Sequence, residues 1–146
     1  MTRDRDEAGR ARNARARDEL GRPLGRSPGA DPPVDDPALP PDEALVRAQQ
    51  LLDDGRAFAA HEVLEAVWKA TEGAERSLWR GLAQLCVGLT HWQRGNGRGA
   101  VALLTRAADT LAAARAGYGV DPAALAAWSR AAAAADELPA PPRLAD

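Results

Sequence analysis

One run gathers most of the groups able to do chemistry, Ala60-His61-Glu62-Val63-Leu64-Glu65-Ala66-Val67-Trp68. On a helix His61 and Glu65 lie one turn apart, close enough to share a proton or a ligand. Helical spacing puts Ala60, Val63, Leu64 and Val67 on one face, a core stripe. Phe58, His61, Glu65 and Trp68 form a second stripe beside it, and Glu62 points further round. Flanked by two aromatic rings, the imidazole and the carboxylate lose part of their hydration, which shifts pKa values. Three roles stay open for the pair: hydrogen bonding to a polar ligand, general-base catalysis by His61 with Glu65 orienting the ring, or a buried bond that only fixes packing.

Other chemistries find less support. His-Glu-x-x-Glu departs from the zinc-protease helix, because Glu65 stands where that pattern has its second histidine. The paired Glu-x-x-His repeats of di-iron bundles are absent. No metal is expected; were one bound, His61 and Glu65 would be its ligands, a carboxylate-rich set suiting Mn or Fe better than structural Zn. The sequence names no cofactor. Gly95-Asn96-Gly97-Arg98-Gly99 precedes a helix N-terminus but lacks the lysine and the serine or threonine of a phosphate loop. A helix stop with left-handed turn residues explains it. Serines are few and the single cysteine, Cys86, sits among leucines, so no nucleophile constellation is present.

The element that must position the His-Glu run is the next one, Leu78 to Gln93. Its only charge is Arg80 and no proline interrupts it. Leu78, Leu82, Leu85 and Leu89 recur at helical steps, and Cys86 widens their stripe. A helix with so little charge on any side needs neighbours on most sides, which makes it the centre of a small domain. Gln84 and His91 share the face opposite the leucines. Folding this helix back on the preceding one sets Gln84 level with Glu62 and His61, within reach of a hydrogen bond. His91 then lies roughly 9 Å further along, at 1.5 Å per residue, which argues against one metal shared by the two histidines.

Around this pair the spacing predicts three more helices. The first begins at Pro41 or Asp42, with Leu45, Ala48, Leu51 and Leu52 inward, and ends at Gly55. The fourth runs from about Gly99 to Ala116, with Val101, Leu104, Ala108 and Leu111 inward and Gly117 as its stop. The fifth starts at Asp121-Pro122, an N-cap acceptor followed by proline, and carries Leu125 and Trp128 into an alanine run ending near Ala135. The fold class is all-α, a small antiparallel bundle of about five helices with a disordered or extended N-terminal arm. The domain occupies 41–136, the Arg/Pro-rich arm 1–40 and the C-terminal tail 137–146.

With 146 residues, an apolar share of 45% and a net charge of −2, the chain fits one core and has no general pull toward nucleic acid or an anionic membrane. The arm is the exception: from Met1 to Arg26 it holds eight arginines against five acids. It reads as a solvated tail, or as a weak contact to RNA or a partner. No stretch reaches membrane-span length and the charged N-terminus is no secretory signal, so the expected location is cytoplasmic. An alanine-rich bundle of this size is also compatible with a homodimer.

Taken together, the His61–Trp68 run, Leu78-Trp79-Arg80-Gly81-Leu82-Ala83-Gln84-Leu85, His91, Gly95-Asn96 and Gly99-Ala100 resemble the family catalogued as domain of unknown function 309. The resemblance covers about residues 43 to 115. It implies an all-helical fold and brings no activity, cofactor or substrate. Carried across position by position, it marks His61, Glu62, Glu65, Gln84, His91 and Asn96 as the polar site residues, with Trp68 alongside. The function expected on these grounds is that of a binding or interaction module with a His/Glu/Gln cluster between helices two and three. The alternative is a hydrolase-like or metal-assisted enzyme using His61 as general base. A peptide-binding array of helical hairpins fits less well, since the forty residues from Gly55 to Gly95 miss the thirty-four of a tetratricopeptide repeat.

Overall fold

The computed structural model describes residues 38–146, which form one compact unit; the expectations for the arm lie outside the described residues. Five α-helices follow in order: α1 Pro41–Asp53, α2 Ala57–Ala70, α3 Arg76–Gln93, α4 Gly97–Ala112 and α5 Pro122–Ala133, with a short 3₁₀ turn, Gly73–Glu75, leading into α3. Among the described residues there is no strand, and an isolated bridge joins Gly117 to Val120. The all-α class is therefore as expected. No helix among these residues is long and apolar enough to cross a membrane.

Each helix packs on the next in the chain, α1 on α2, α2 on α3, α3 on α4 and α4 on α5. The third helix is the centre, with Leu78, Trp79, Leu82, Leu85 and Cys86 all buried to 1% exposure or less. Two glycines, seven residues apart on α3, set its distance from α4. A methyl added at Gly81 would lie 2.7 Å from Leu111 Cγ, and one at Gly88 2.7 Å from Leu104 Cγ. Leu104 and Leu111 are themselves seven apart and met in reverse order, which is the register of an antiparallel pair.

Helix ends follow local chemistry. Pro41 and the acidic Asp42 and Glu43 suit the first turn of α1. Asp121 caps α5, its carboxylate accepting from the Ala124 N–H at 3.1 Å. At the α3–α4 reversal Gly95 takes a φ of +79°, the Asn96 N–H donates to the His91 carbonyl at 2.8 Å and the Gly95 N–H to the Trp92 carbonyl at 3.1 Å. These are the paired bonds of a Schellman stop. Asn96 then begins the next helix as its N-cap, accepting from the Gly99 N–H at 3.0 Å.

Three expectations need correction. Val101, expected inward, is 46% exposed. Arg130 of α5 bonds Asp109 of α4 at 3.2 Å, and α5 ends three residues later at Ala133, so its antiparallel run stops short of Val101. The fourth helix ends at Ala112, not near Ala116. Beyond it Tyr118, at φ 56°, lays its ring 5.6 Å from that of Trp79 and donates its hydroxyl to Glu75 at 2.7 Å, a course a continuing helix does not allow. Lastly, the segment after α5 is irregular but not free. Leu144 is 1% exposed and belongs to the core.

Cys86 is wholly buried, and loss of hydration pushes its thiol up to about 12. Alkylation by iodoacetamide at pH 8 is therefore expected to fail on the native chain and to go to completion once denaturant unfolds it. Rapid modification without denaturant would show that the α3 core opens locally.

Candidate functional site

The candidate residues fall into two groups, on α2 and at the α3–α4 reversal, with Gln84 on α3. On α2 the expected stripe is formed. His61 Nε2 lies 3.7 Å from Glu65 Oε2, with side chains 15% and 32% exposed. At that separation the contact is an ion pair when the imidazole is protonated, longer than a hydrogen bond. Phe58 closes one end, its ring centroid 5.1 Å from that of His61. Lys69 Nζ is 3.8 Å from the other Glu65 oxygen. At the far end the Arg76 guanidinium sits 4.9 Å over the Trp68 ring, within the range of a cation–π contact. Glu62 is exposed on the next face.

Local sequence explains this arrangement. Ala57, Ala60, Leu64 and Val67 are the buried positions of α2, so residues rotated from them by less than a quarter turn fall at the edge of the core. The three large side chains there, Phe58, His61 and Trp68, are half-buried. His61 Nδ1 and Trp68 Nε1 are buried with no hydrogen-bond partner. The neighbouring His61 imidazole holds the Glu65 carboxyl below its usual value of 4.5, with burial acting against it and Lys69 adding to it.

Because that carboxyl is depressed in the folded chain, its contribution to stability is complete above its unfolded value and is lost as pH falls through the folded one. Urea unfolding of the Glu65→Gln variant is expected to differ from wild type by about 0.3–1 kcal/mol at neutral pH, as for a partly solvated pair. The difference should vanish on acidification well below pH 4.5. A difference that persists there would assign the effect to packing.

On α3, Gln84 is half-buried, and its Oε1 is buried with no hydrogen-bond partner. Neither Gln84 Oε1 nor His61 Nδ1 takes any part in the hydrogen bond expected from Gln84 to Glu62 or His61. Helical register placed the two at one level, but a level says nothing of the rotation of each helix about its axis. His91 stands apart from the α2 stripe, at the α3–α4 reversal, with its Nδ1 3.0 Å from Asn96 Nδ2. Gly99 makes room for both, because a methyl there would sit 2.8 Å from His91 Nδ1 and 2.6 Å from Asn96 Nδ2. Among the described residues no group of three or more His, Cys, Asp or Glu side chains is placed to hold a metal ion.

Residues 45–103 match the family model described as Domain of unknown function (DUF309). Over that segment the chain is similar to DUF309. Its matched segment runs from within α1 into α4 and contains all seven candidate positions. Searches of curated proteins and of solved structures return no match. Lying outside the DUF309 segment are α5, the C-terminal residues and Tyr118. The partnership of Tyr118 with Glu75 spans 43 positions and left no signal in the sequence pattern.

Proposed function

We propose that the chain is a cytoplasmic binding module whose working surface is the α2 stripe of Phe58, His61, Glu65 and Trp68, with Gln84 on the adjacent helix. One observation carries this reading: His61 Nδ1 is buried and unbonded on a side chain that still reaches the surface. A buried polar atom without a partner costs about 1–3 kcal/mol. A ligand donating an N–H or O–H to that nitrogen removes the cost. Trp68 Nε1, a donor, and Gln84 Oε1, an acceptor, are unbonded in the same way. The ligand class that fits is a small molecule or side chain bearing both donor and acceptor groups.

The test is a titration with small amides, amines and hydroxy acids, read on the His61 imidazole nitrogens and the Trp68 indole N–H by NMR. Perturbation confined to those signals, and lost in His61→Ala, supports the module. If His61→Ala costs several kcal/mol and no compound moves either signal, the stripe serves packing only. The unbonded Nδ1, on a ring whose Nε2 faces Glu65, favours a second reading, with His61 as a general base. A His61→Ala chain that still binds such a ligand but no longer turns it over would decide for catalysis.

A further inference from the structure

The last residues of the chain contact the domain as a bound peptide contacts its receptor. Gln49 of α1 uses both ends of its amide on their backbone. Its Oε1 accepts from the Leu144 N–H at 2.8 Å and its Nε2 donates to the Pro142 carbonyl at 3.0 Å. A side-chain amide paired with an acceptor and a donor two residues apart reads an extended segment by its main chain, whatever the side chain between them. That intervening residue, Arg143, is exposed, whereas Pro142 and Leu144 are buried. Alternation of this kind belongs to an extended strand laid on a surface. Beyond it the Asp146 N–H donates to the Gly119 carbonyl at 3.1 Å. A side chain at Gly119 would point at the passing chain, its Cβ 3.5 Å from the Asp146 carbonyl oxygen.

What joins this segment to α5 holds it only loosely. Asp136, Glu137, Leu138, Ala140 and Pro141 are all exposed. Anchorage is concentrated at Gln49, at the seat of Leu144 and at Gly119. We propose that Gln49 and the Gly117–Val120 turn form a peptide-reading groove, specific for an extended segment with proline and, two residues on, leucine. The chain's own residues 141–146 occupy it as a detachable strap. Main-chain hydrogen bonds with pockets for alternate side chains are the recurring mode by which domains take extended peptides. The groove is separate from the α2 stripe, and the proposal does not depend on that site.

Two measurements on the full chain test it. In wild type, amide hydrogen exchange should release the Leu144 and Asp146 N–H groups at least about tenfold faster than those of Leu82 and Leu85, since the strap opens without global unfolding. Exchange of all four at one rate would show that the tail is an integral part of the core, and would overturn the proposal. In the Leu144→Ala full chain the seat is vacated, and the synthetic peptide Pro-Pro-Arg-Leu-Ala-Asp should bind in trans. A peptide with alanine for its leucine, or a chain that also carries Gln49→Ala, should bind about tenfold more weakly or worse. A folded Leu144→Ala chain that ignores the peptide, or binds both peptides equally, sinks the idea.

Discussion

Replacing Trp79 by alanine is expected to lower the free energy of unfolding by about 3–5 kcal/mol, the range for truncating a large buried aromatic. Trp79 is 0% exposed and is the largest of the fully buried side chains. It stands on the central helix, so the void would open where α3 meets its neighbours. The ring also supports Tyr118, whose own backbone is in the left-handed region that non-glycine residues avoid. Losing the indole leaves the Tyr118 ring held by its hydroxyl bond to Glu75, and the turn by the Val120 N–H donating to the Gly117 carbonyl at 2.9 Å. Urea denaturation followed by circular dichroism measures the loss. Trp79→Phe should cost less, because it keeps much of the volume and deletes an indole N–H that has no partner in the core. A Trp79→Ala chain within about 1 kcal/mol of wild type would contradict this placement of the core.

The second large effect belongs to the close approach of α3 and α4. A methyl at Gly88 would lie 2.7 Å from both Cγ and Cδ2 of Leu104 and 3.2 Å from its backbone nitrogen. Leu104 is 0% exposed and has nowhere to withdraw. Gly88→Ala should therefore destabilise by about 1–3 kcal/mol, even though alanine is intrinsically the better helix residue by about 1 kcal/mol. Leu104→Ala alone should cost about 2–5 kcal/mol through the cavity it leaves. Combined, the two changes should cost less than their sum, with a coupling of about 0.5–3 kcal/mol, because the new methyl enters the space the leucine gives up. Relief would be incomplete, since the backbone nitrogen stays in place. A strictly additive double variant would mean that these residues do not meet.

How much of this was legible beforehand depends on how far along the chain each contact reaches. The leucine stripe of α3, the Gly55 and Gly95 stops and the Asp121-Pro122 start are local signals, and the helices formed where those signals put them. Within α2 the Phe58, His61, Glu65 and Trp68 stripe was readable too, because helical periodicity alone fixes it. Contacts between distant segments were not. Nothing near Gln49 announces that it will hold residues 93 and 95 positions away. Val101 satisfied the helical period and is exposed anyway, because the length of α5 and not the pattern of α4 decides what covers it. Gln84 shows the same limit, since spacing gave its height on α3 but not that its Oε1 would stay unbonded.

The double use of Asn96 has a consequence for proton placement. Its Oδ1 is committed to the Gly99 N–H, so the atom set against His91 is the amide nitrogen, a donor. The neutral His91 ring must answer with the lone pair of Nδ1, which puts the hydrogen on Nε2 and selects one tautomer. Of the two imidazoles in the chain, then, the one at the α3–α4 reversal has its basic nitrogen occupied by the turn itself. Only the ring on α2 retains a nitrogen that still lacks a donor.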